Sequence, residues 1–488
     1  MTDMSKRNVR KKVDDIANLL KGWLRRRLSM YGKCTVVKTL ELPMLTHILS
    51  ALPSPPKSFF HDLQVNIFKF IWDNKQDKIK RSLMYTRFSV PNVTLYDTAL
   101  KVSWIKRAIM KNDGFWNTLL NSGRYGLIYV LCTGSNSAKL FQRQSRDGNH
   151  YNLFWQSVFE SWDSFKASCA VSEDMYRQPI HLTSNLHIGG FSFWNKALFD
   201  AGCRLVGDVY RPDGHIKSFD ELNRDFPIPF SKTVLQGLIR AIRRFQGSQI
   251  MSFEFVGPLR PKAVECLFVQ SVGNRSVYVT LLDHFCPALS DLSSAELKWN
   301  RDLDAEIDWS TVYWSNRSCT RNKKIVWFQD RLLHRILTTN QFVSKFTDTN
   351  PECSFCKRDT ETLIHLFCRC YVISGLWSEV KRAASMSGVA MSLDEKNIIM
   401  GTDIVDKSVS DTKRELVRQI ILLFKFYIYR AKVASGSMDF SSACAYVKAM
   451  VVADCPVRDA EISDKERLII DAHDWAINML NQWMSRTV

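Results

Sequence analysis

Residues 351–370 read PECSFCKRDTETLIHLFCRC, in which thiols and an imidazole recur as Cys353-x2-Cys356-x8-His365-x4-Cys370. Zinc takes four soft or borderline donors in a tetrahedron, and two short, hairpin-like ligand pairs would bring these four together. Thiolate and neutral imidazole are both accessible at neutral pH once a metal lowers the thiol pKa. Three sulfurs and one nitrogen leave no coordination position for water, so the spacing predicts one structural zinc ion. An isolated Cys-x2-Cys pair is common, and four unrelated cysteines around a core histidine is the bland account. Completion of the pair by His and Cys at this range is much rarer. Cys368 lies two residues from Cys370 and competes with it for the fourth place; the spacing leaves both open.

Outward from this stretch the chain reads as helical. Val9, Val13, Ile16, Leu20, Trp23 and Leu24 recur at intervals of three and four, predicting an apolar helix face ended by Gly32. A second helix is predicted from about Thr35 to Ser50, and a third from Ser54-Pro55-Pro56, with Phe60, Leu63, Ile67, Phe70 and Ile71 as its buried face. Asp213-Gly214 predicts a turn, and Ser218 with Glu221 a capping box. Periodicity does not decide between strand and helix over 250–284. Leu416 to Tyr429 reads as a buried helix, and Ser463 with Glu466 caps a last one whose core face is Leu468, Ala472, Trp475, Met479 and Trp483. The polar run Thr133–His150 and the stretch Pro287–Glu296 read as linkers. The predicted architecture is mainly α and multi-domain, with a small Cys3His zinc-knuckle-like module and a few short strands in the middle section. Its domains are a basic helical unit at 1–131, an intermediate region at 132–298, the zinc-binding domain at 299–400 and a helical region at 401–488.

The 488 residues hold 67 Lys and Arg against 49 Asp and Glu, a formal charge of +18, and residues 1–111 carry 22 basic and 8 acidic groups, so +14 of it sits there. Such a surface favours polyanions. Thirteen cysteines, mostly scattered singly, do not form a disulfide framework and predict an intracellular, reducing setting. The N-terminal MTDMSKRNVRKKVDD has no signal-peptide core, and the most apolar stretch, Ile420 to Tyr429, contains Lys425 between Arg418 and Arg430, too short and charged to span a bilayer.

A larger set of residues then comes together. Trp327-Phe328-Gln329, Leu333 to Asn340 (LHRILTTN), the cysteine pair, Glu361-Thr362, His365-Leu366-Phe367, Cys370 and Trp377 resemble the zinc-binding C-terminal region of LINE-type (non-LTR) retrotransposon reverse transcriptases. Upstream, Trp23-Leu24, Arg27-Leu28-Ser29, Gly32-Lys33, Phe68 to Lys75 (FKFIWDNK), Ala99-Leu100-Lys101 and Trp104 to Arg107 resemble the segment after that family's palm, its thumb. Trp194-Asn195, Gly207-Asp208-Val209 and Asp213-Gly214 continue the resemblance, which runs in order through nearly the whole chain. It implies a nucleic-acid-binding portion without endonuclease or palm. The one Asp-Asp pair, Asp14-Asp15, lies in a lysine-rich helical repeat and not on a hairpin between apolar strands, so polymerase chemistry is not predicted. The family's Gly-Gly-Leu is replaced by Phe88-Ser89-Val90-Pro91-Asn92, which predicts the loss of a glycine-type backbone conformation.

The candidate phosphate contacts are Arg25, Arg26, Arg27, Lys33, Lys38, Lys75, Lys78, Lys80 and Arg81 in the N-terminal quarter, and Lys323, Lys324, Arg331, Arg335, Lys357 and Arg358 about the cysteines. Phe355, between two ligands, is the stacking candidate, whereas Trp327 and Phe367 are expected in the core. The predicted partner is RNA or an RNA–DNA duplex, in a cytoplasmic ribonucleoprotein or the nucleus, with no membrane and no catalysis. An adaptor whose zinc module and 416–429 helix bind protein, or the inert remainder of a truncated element, stay open.

Overall fold

The computed structural model describes residues 3–110, 126–135, 138, 153–170, 175–183, 185–227, 231–246, 261–268, 273–287, 292–406, 408–456 and 463–485. These are mainly helical, as the periodicity predicts; the only strands among the described residues are His187–Ile188 and Phe191–Ser192, an antiparallel hairpin turned by Gly189 and Gly190 at φ 60° and 81°. The chain divides into two compact units, Met1–Arg26 with Cys34–Ala288 and Arg27–Lys33 with Leu289–Val488. No helix among the described residues is long and apolar enough to cross a membrane.

In the first unit the helix Asp3–Leu24 packs on Lys57–Ile71, whose predicted face (Phe60, Leu63, Ile67, Phe70, Ile71) is buried. The intervening path differs from prediction. The first helix ends at Leu24, before Gly32, and the span from Thr35 to Ser50 is interrupted by a π-helical turn, Val37–Glu41. Pro43 is the physical reason: it has no N–H to donate and its ring crowds the carbonyl four residues back. The ladder widens just ahead of it, Leu42 N–H reaching Val37 O, and α-helix resumes over Leu42–Ala51.

Helices Leu153–Ala170 and Asn274–Phe285 pack on Val93–Met110, and Val102, Ile105, Val158, Phe159, Trp162 and Leu281 share a core. The undecided 250–284 is helical where described, at Lys262–Phe268 and Asn274–Phe285. Most of the Thr133–His150 linker lies outside the described residues. The turn at Gly214 and the capping box of Ser218 and Glu221 are formed as predicted, the box with Ser218 N–H on Glu221 at 2.7 Å and Glu221 N–H on Ser218 Oγ at 3.3 Å. At the family's Gly-Gly-Leu position the expectation is corrected: Ser89 itself takes φ 53°, and Val90 N–H reaches Met84 O at 3.0 Å. The glycine-type conformation is kept without the glycine.

In the second unit the helix Asp411–Val433 is the central element. Val417, Ile420, Ile421, Leu423, Phe424 and Ile428 are fully buried against Lys323–Leu333, Phe440–Asp454 and Asp464–Ser485. Residues on both sides of position 400 feed one apolar core, from Trp299 through Trp377 to Trp483. Ser293 and Glu296 form a capping box that the linker reading of Pro287–Glu296 does not contain, and it starts the helix Ser294–Asp302. The last helix is capped by Ser463 and Glu466 as predicted, but Leu468 points outward at 63% exposure and Ala476 and Leu480 take its place on the core face.

Candidate metal centre

Cys353, Cys356, His365 and Cys370 are all buried, and one donor atom from each lies within 4.8 Å of the other three. Cys353 Sγ is 3.8 Å from Cys370 Sγ, and Cys356 Sγ is 3.4 Å from His365 Nε2. A tetrahedron with Zn–S of about 2.3 Å and Zn–N of about 2.05 Å has edges of about 3.8 Å for S···S and 3.6 Å for S···N. The donors therefore stand where one zinc ion would hold them, and 3.8 Å excludes a disulfide, whose sulfurs lie at about 2.05 Å. None of the thirteen cysteines forms a disulfide. Cys370 completes the set; Cys368 is buried outside it, its thiol pushed up by burial and by the nearby Glu395.

The two ligand pairs are built differently. Cys353 and Cys356 sit in a tight turn: Lys357 N–H bonds Cys353 O at 3.0 Å, Cys353 N–H bonds Asp359 O at 2.8 Å, and Glu352 bridges Thr360. Lys357 takes φ 55° to let the chain fold back, a conformation in which glycine is commonest. The second pair is not hairpin-like. His365–Arg369 is a π-helical turn closed by Cys370 N–H on His365 O at 2.8 Å. A His-x4-Cys spacing places its ends five residues apart, and a π turn is the helix whose hydrogen bonds span five residues, so both side chains come to one side. Cys370 then stands at the N-terminus of Tyr371–Met386.

Backbone amides complete the sulfur environment. Cys353 Sγ accepts from the amides of Cys356 and Phe355, Cys356 Sγ from Asp359 and Arg358, and Cys370 Sγ from Ile373 and Val372. The donors stand two and three residues ahead of the sulfur in each case, and such bonds stabilise thiolate. Burial pushes the Cys353 thiol up to about 12 and also raises that of Cys370. Burial acts to raise Cys356 too, but the Asp359 and Arg358 amides and the His365 ring outweigh it and hold this group at about 7. His365 Nδ1 faces the Asp359 carboxylate at 3.9 Å, which leaves Nε2 for the metal.

A carboxylate supports the site in a role that no spacing signals. Glu361 is fully buried and accepts from Asn340 N–H and Ser354 N–H, both at 2.8 Å, and from Lys432 Nζ at 3.0 Å. It ties the cysteine turn to the start of the short helix Asn340–Val343 and to the central helix of the unit. Thr362 Oγ1 accepts from His365 N–H at 3.0 Å, and Trp377 Nε1 donates to Phe367 O at 2.7 Å. Glu361, Thr362 and Trp377 belong to the resemblance described above, but no spacing signals Lys432.

The predicted phosphate contacts fall into two classes. Arg25, Arg26, Arg27, Lys38, Lys75, Lys78, Lys80, Lys323, Lys324, Lys357 and Arg358 are exposed. The others are engaged within the fold. Lys33 is buried, Arg81 bonds Asp77 at 2.7 Å and lies over Phe68, and Arg331 is half-buried over Tyr429. Arg335 bonds Asp302 at 2.6 Å with its guanidinium 4.1 Å from the Trp299 ring. Phe355 is half-buried against the core, Trp327 is half-buried, and Phe367 is fully buried; Arg358 lies over the exposed Tyr371 at 5.0 Å.

A family model described as zinc-binding in reverse transcriptase matches residues 294–377. All four ligands, Glu361 and Trp377 fall inside this range. The chain thus carries a zinc-binding region related to that of reverse transcriptases.

Proposed function

We propose that this chain is the nucleic-acid-holding, non-catalytic portion of a LINE-type retrotransposon reverse transcriptase, gripping RNA or an RNA–DNA duplex through exposed cations on a zinc-organised frame. The observation that carries the reading is a closed Cys3His site inside a segment matching a reverse-transcriptase zinc-binding region. Cys353, Cys356, His365 and Cys370 would hold the ion, which when bound cross-links the cysteine turn to the π turn and offers no open position for a reacting water. The protein's own groups do the rest. Glu361 orients the turn, Tyr371–Met386 anchors it in the core, and Lys357 and Arg358 are carried at the surface beside Cys356. Charge of this kind gives affinity for phosphates without base preference, released as salt rises. The adaptor alternative draws less support, because the helix it would offer a partner is spent on the core of its own unit.

The test is metal content and RNA affinity on one preparation, wild type beside Cys353→Ser/Cys356→Ser. One zinc per chain, with salt-sensitive binding to structured RNA that weakens in the variant, is the expected result. Zinc without RNA binding would sink the nucleic-acid reading and leave the metal site standing.

A further inference from the structure

Beside the zinc module, wholly within the second unit, lies an open cleft of about 660 Å³ between the helix Ser294–Asp302, the turn at His334–Leu337 and the segment from Thr339 to Lys345. Its volume is within the roughly 300–1,000 Å³ of clefts that hold small molecules or pieces of larger ones. Four of its lining residues are cationic (Lys298, Arg335, Lys345, Arg369) and one is a carboxylate, Asp302. Arg335 and Asp302 neutralise each other, and Arg369 is held by both carboxylate oxygens of Glu395 at 2.6 and 2.8 Å. Lys298 and Lys345 remain exposed and, among the described residues, no carboxylate pairs with either. The same wall presents Phe342, 52% exposed, in edge contact with Phe346, 74% exposed, at 5.4 Å between centroids. A large aromatic ring left exposed in a cleft that also exposes two ammonium groups with no carboxylate partner is not accounted for by packing.

We infer that this cleft takes an unpaired stretch of a nucleic-acid strand, with a base stacked on Phe342 and flanking phosphates on Lys298 and Lys345. This rests on the nucleic-acid reading above and adds to it a place and a strand state. An exposed aromatic ring sharing a cleft with cations suits single strands, since every base offers a flat ring and every linkage a charge, whereas duplex hides its bases. An acidic peptide would use the lysines but not the rings. Arg335 shapes the wall and is committed to Trp299 and Asp302; the direct contacts are the three exposed side chains. None of Lys298, Lys345 and Phe342 stands out in the sequence, because no spacing joins them.

The experiment uses the full chain and fluorescein-labelled oligouridylate and oligothymidylate, with a blunt duplex and poly-glutamate as comparators. Phe342→Ala is expected to weaken single-strand binding on the order of tenfold at unchanged salt slope. Lys298→Gln/Lys345→Gln is expected to lower the slope of log K against log salt by about 1.4, about 0.7 for each phosphate left without its lysine. The RNA and DNA arms tell whether the 2′-hydroxyl contributes. Wild type that binds these strands while both variants bind equally well overturns the cleft and leaves the nucleic-acid reading intact. Wild type that binds no nucleic acid overturns both. Equal competition by poly-glutamate transfers the cleft to acidic peptides and overturns the proposal. Photo-crosslinking of a 4-thiouridine strand to the unaltered protein must label peptides within 339–346, and labelling only elsewhere also overturns it, whatever the substitutions do to folding.

Discussion

At Glu41, in the first unit, a carboxylate with no exposed surface has no hydrogen-bond partner on either oxygen among the described residues. Burial raises its pKa from 4.5 to about 8, so the folded chain carries it protonated at neutral pH. Between these values the folded state holds a proton that the unfolded state has lost. The stability contributed by the neutral carboxyl is therefore fully present below about pH 4.5 and drains away as pH rises toward 8, at about 1.4 kcal/mol per pH unit. Glu41→Gln should remove this dependence: denaturant unfolding of the first unit between pH 5 and 8 should give diverging wild-type and variant stabilities, and parallel curves would refute the assignment. Ser89 gives the second residue-scale test. A non-glycine residue at φ 53° costs about 1–2 kcal/mol, and the extra freedom of unfolded glycine returns about 0.5–1, so Ser89→Gly should stabilise the first unit by about 0.5–1 kcal/mol. A lower melting temperature for that variant would contradict the strain.

At the scale of elements, buried lysines close helix C-termini. Lys101 donates to the carbonyls of Leu49 and Leu52 at the end of Leu42–Ala51, Lys166 to Thr133 and Gly134 at the end of Leu127–Cys132, and Lys425 to Ile399 in Glu395–Met400. Each meets the negative end of a helix whose last carbonyls have no partner in the ladder. Lys101→Ala would strand the buried Asp97 together with those carbonyls and should cost about 3–5 kcal/mol, while Lys75→Ala at the surface should stay within about 0.5 kcal/mol; equal effects in urea titrations would reject the distinction. These lysines also mark how far the fold is legible in the sequence. Apolar patterning yields the helix over 57–71 and the buried middle, 416–429, of the helix over 411–433, and serine–glutamate spacing yields two caps, because those signals are local. The π turn at 37–41 escapes periodicity although Pro43 announces it, and so does the one at 365–369 although the His-x4-Cys spacing contains it. Which lysines turn inward is not legible at all, since burial of Lys101 or Lys432 depends on a partner 49 or 71 positions away.

For the whole molecule, the three ligand cysteines and the central helix Asp411–Val433 share one core, with Glu361 tied to that helix through Lys432, whereas the first unit has cores of its own around Trp162 and around Phe193. The ligand stretch has little regular structure to hold it: a four-residue helix Asn340–Val343, a turn, and a five-residue π turn. Four donor atoms within 4.8 Å must there replace the missing hydrogen-bond ladder, and without a metal they would leave buried thiols with unfilled amides around them. Ile373, Leu376, Trp377 and Val380 of Tyr371–Met386 lie in the same core, so loosening the π turn should propagate into this helix and stop at the unit boundary. Chelation by phenanthroline should therefore strip hydrogen-exchange protection from 339–386 while Val93–Met110 keeps its own, and Cys370→Ser should reproduce the pattern with no chelator. Because the ion binds only the folded form, the midpoint of the second unit's thermal transition should rise with free zinc, and that of the first should not. If both transitions moved together, the units would be thermodynamically coupled. If neither moved, the close approach of Cys353, Cys356, His365 and Cys370 would be a packing arrangement with no metal behind it.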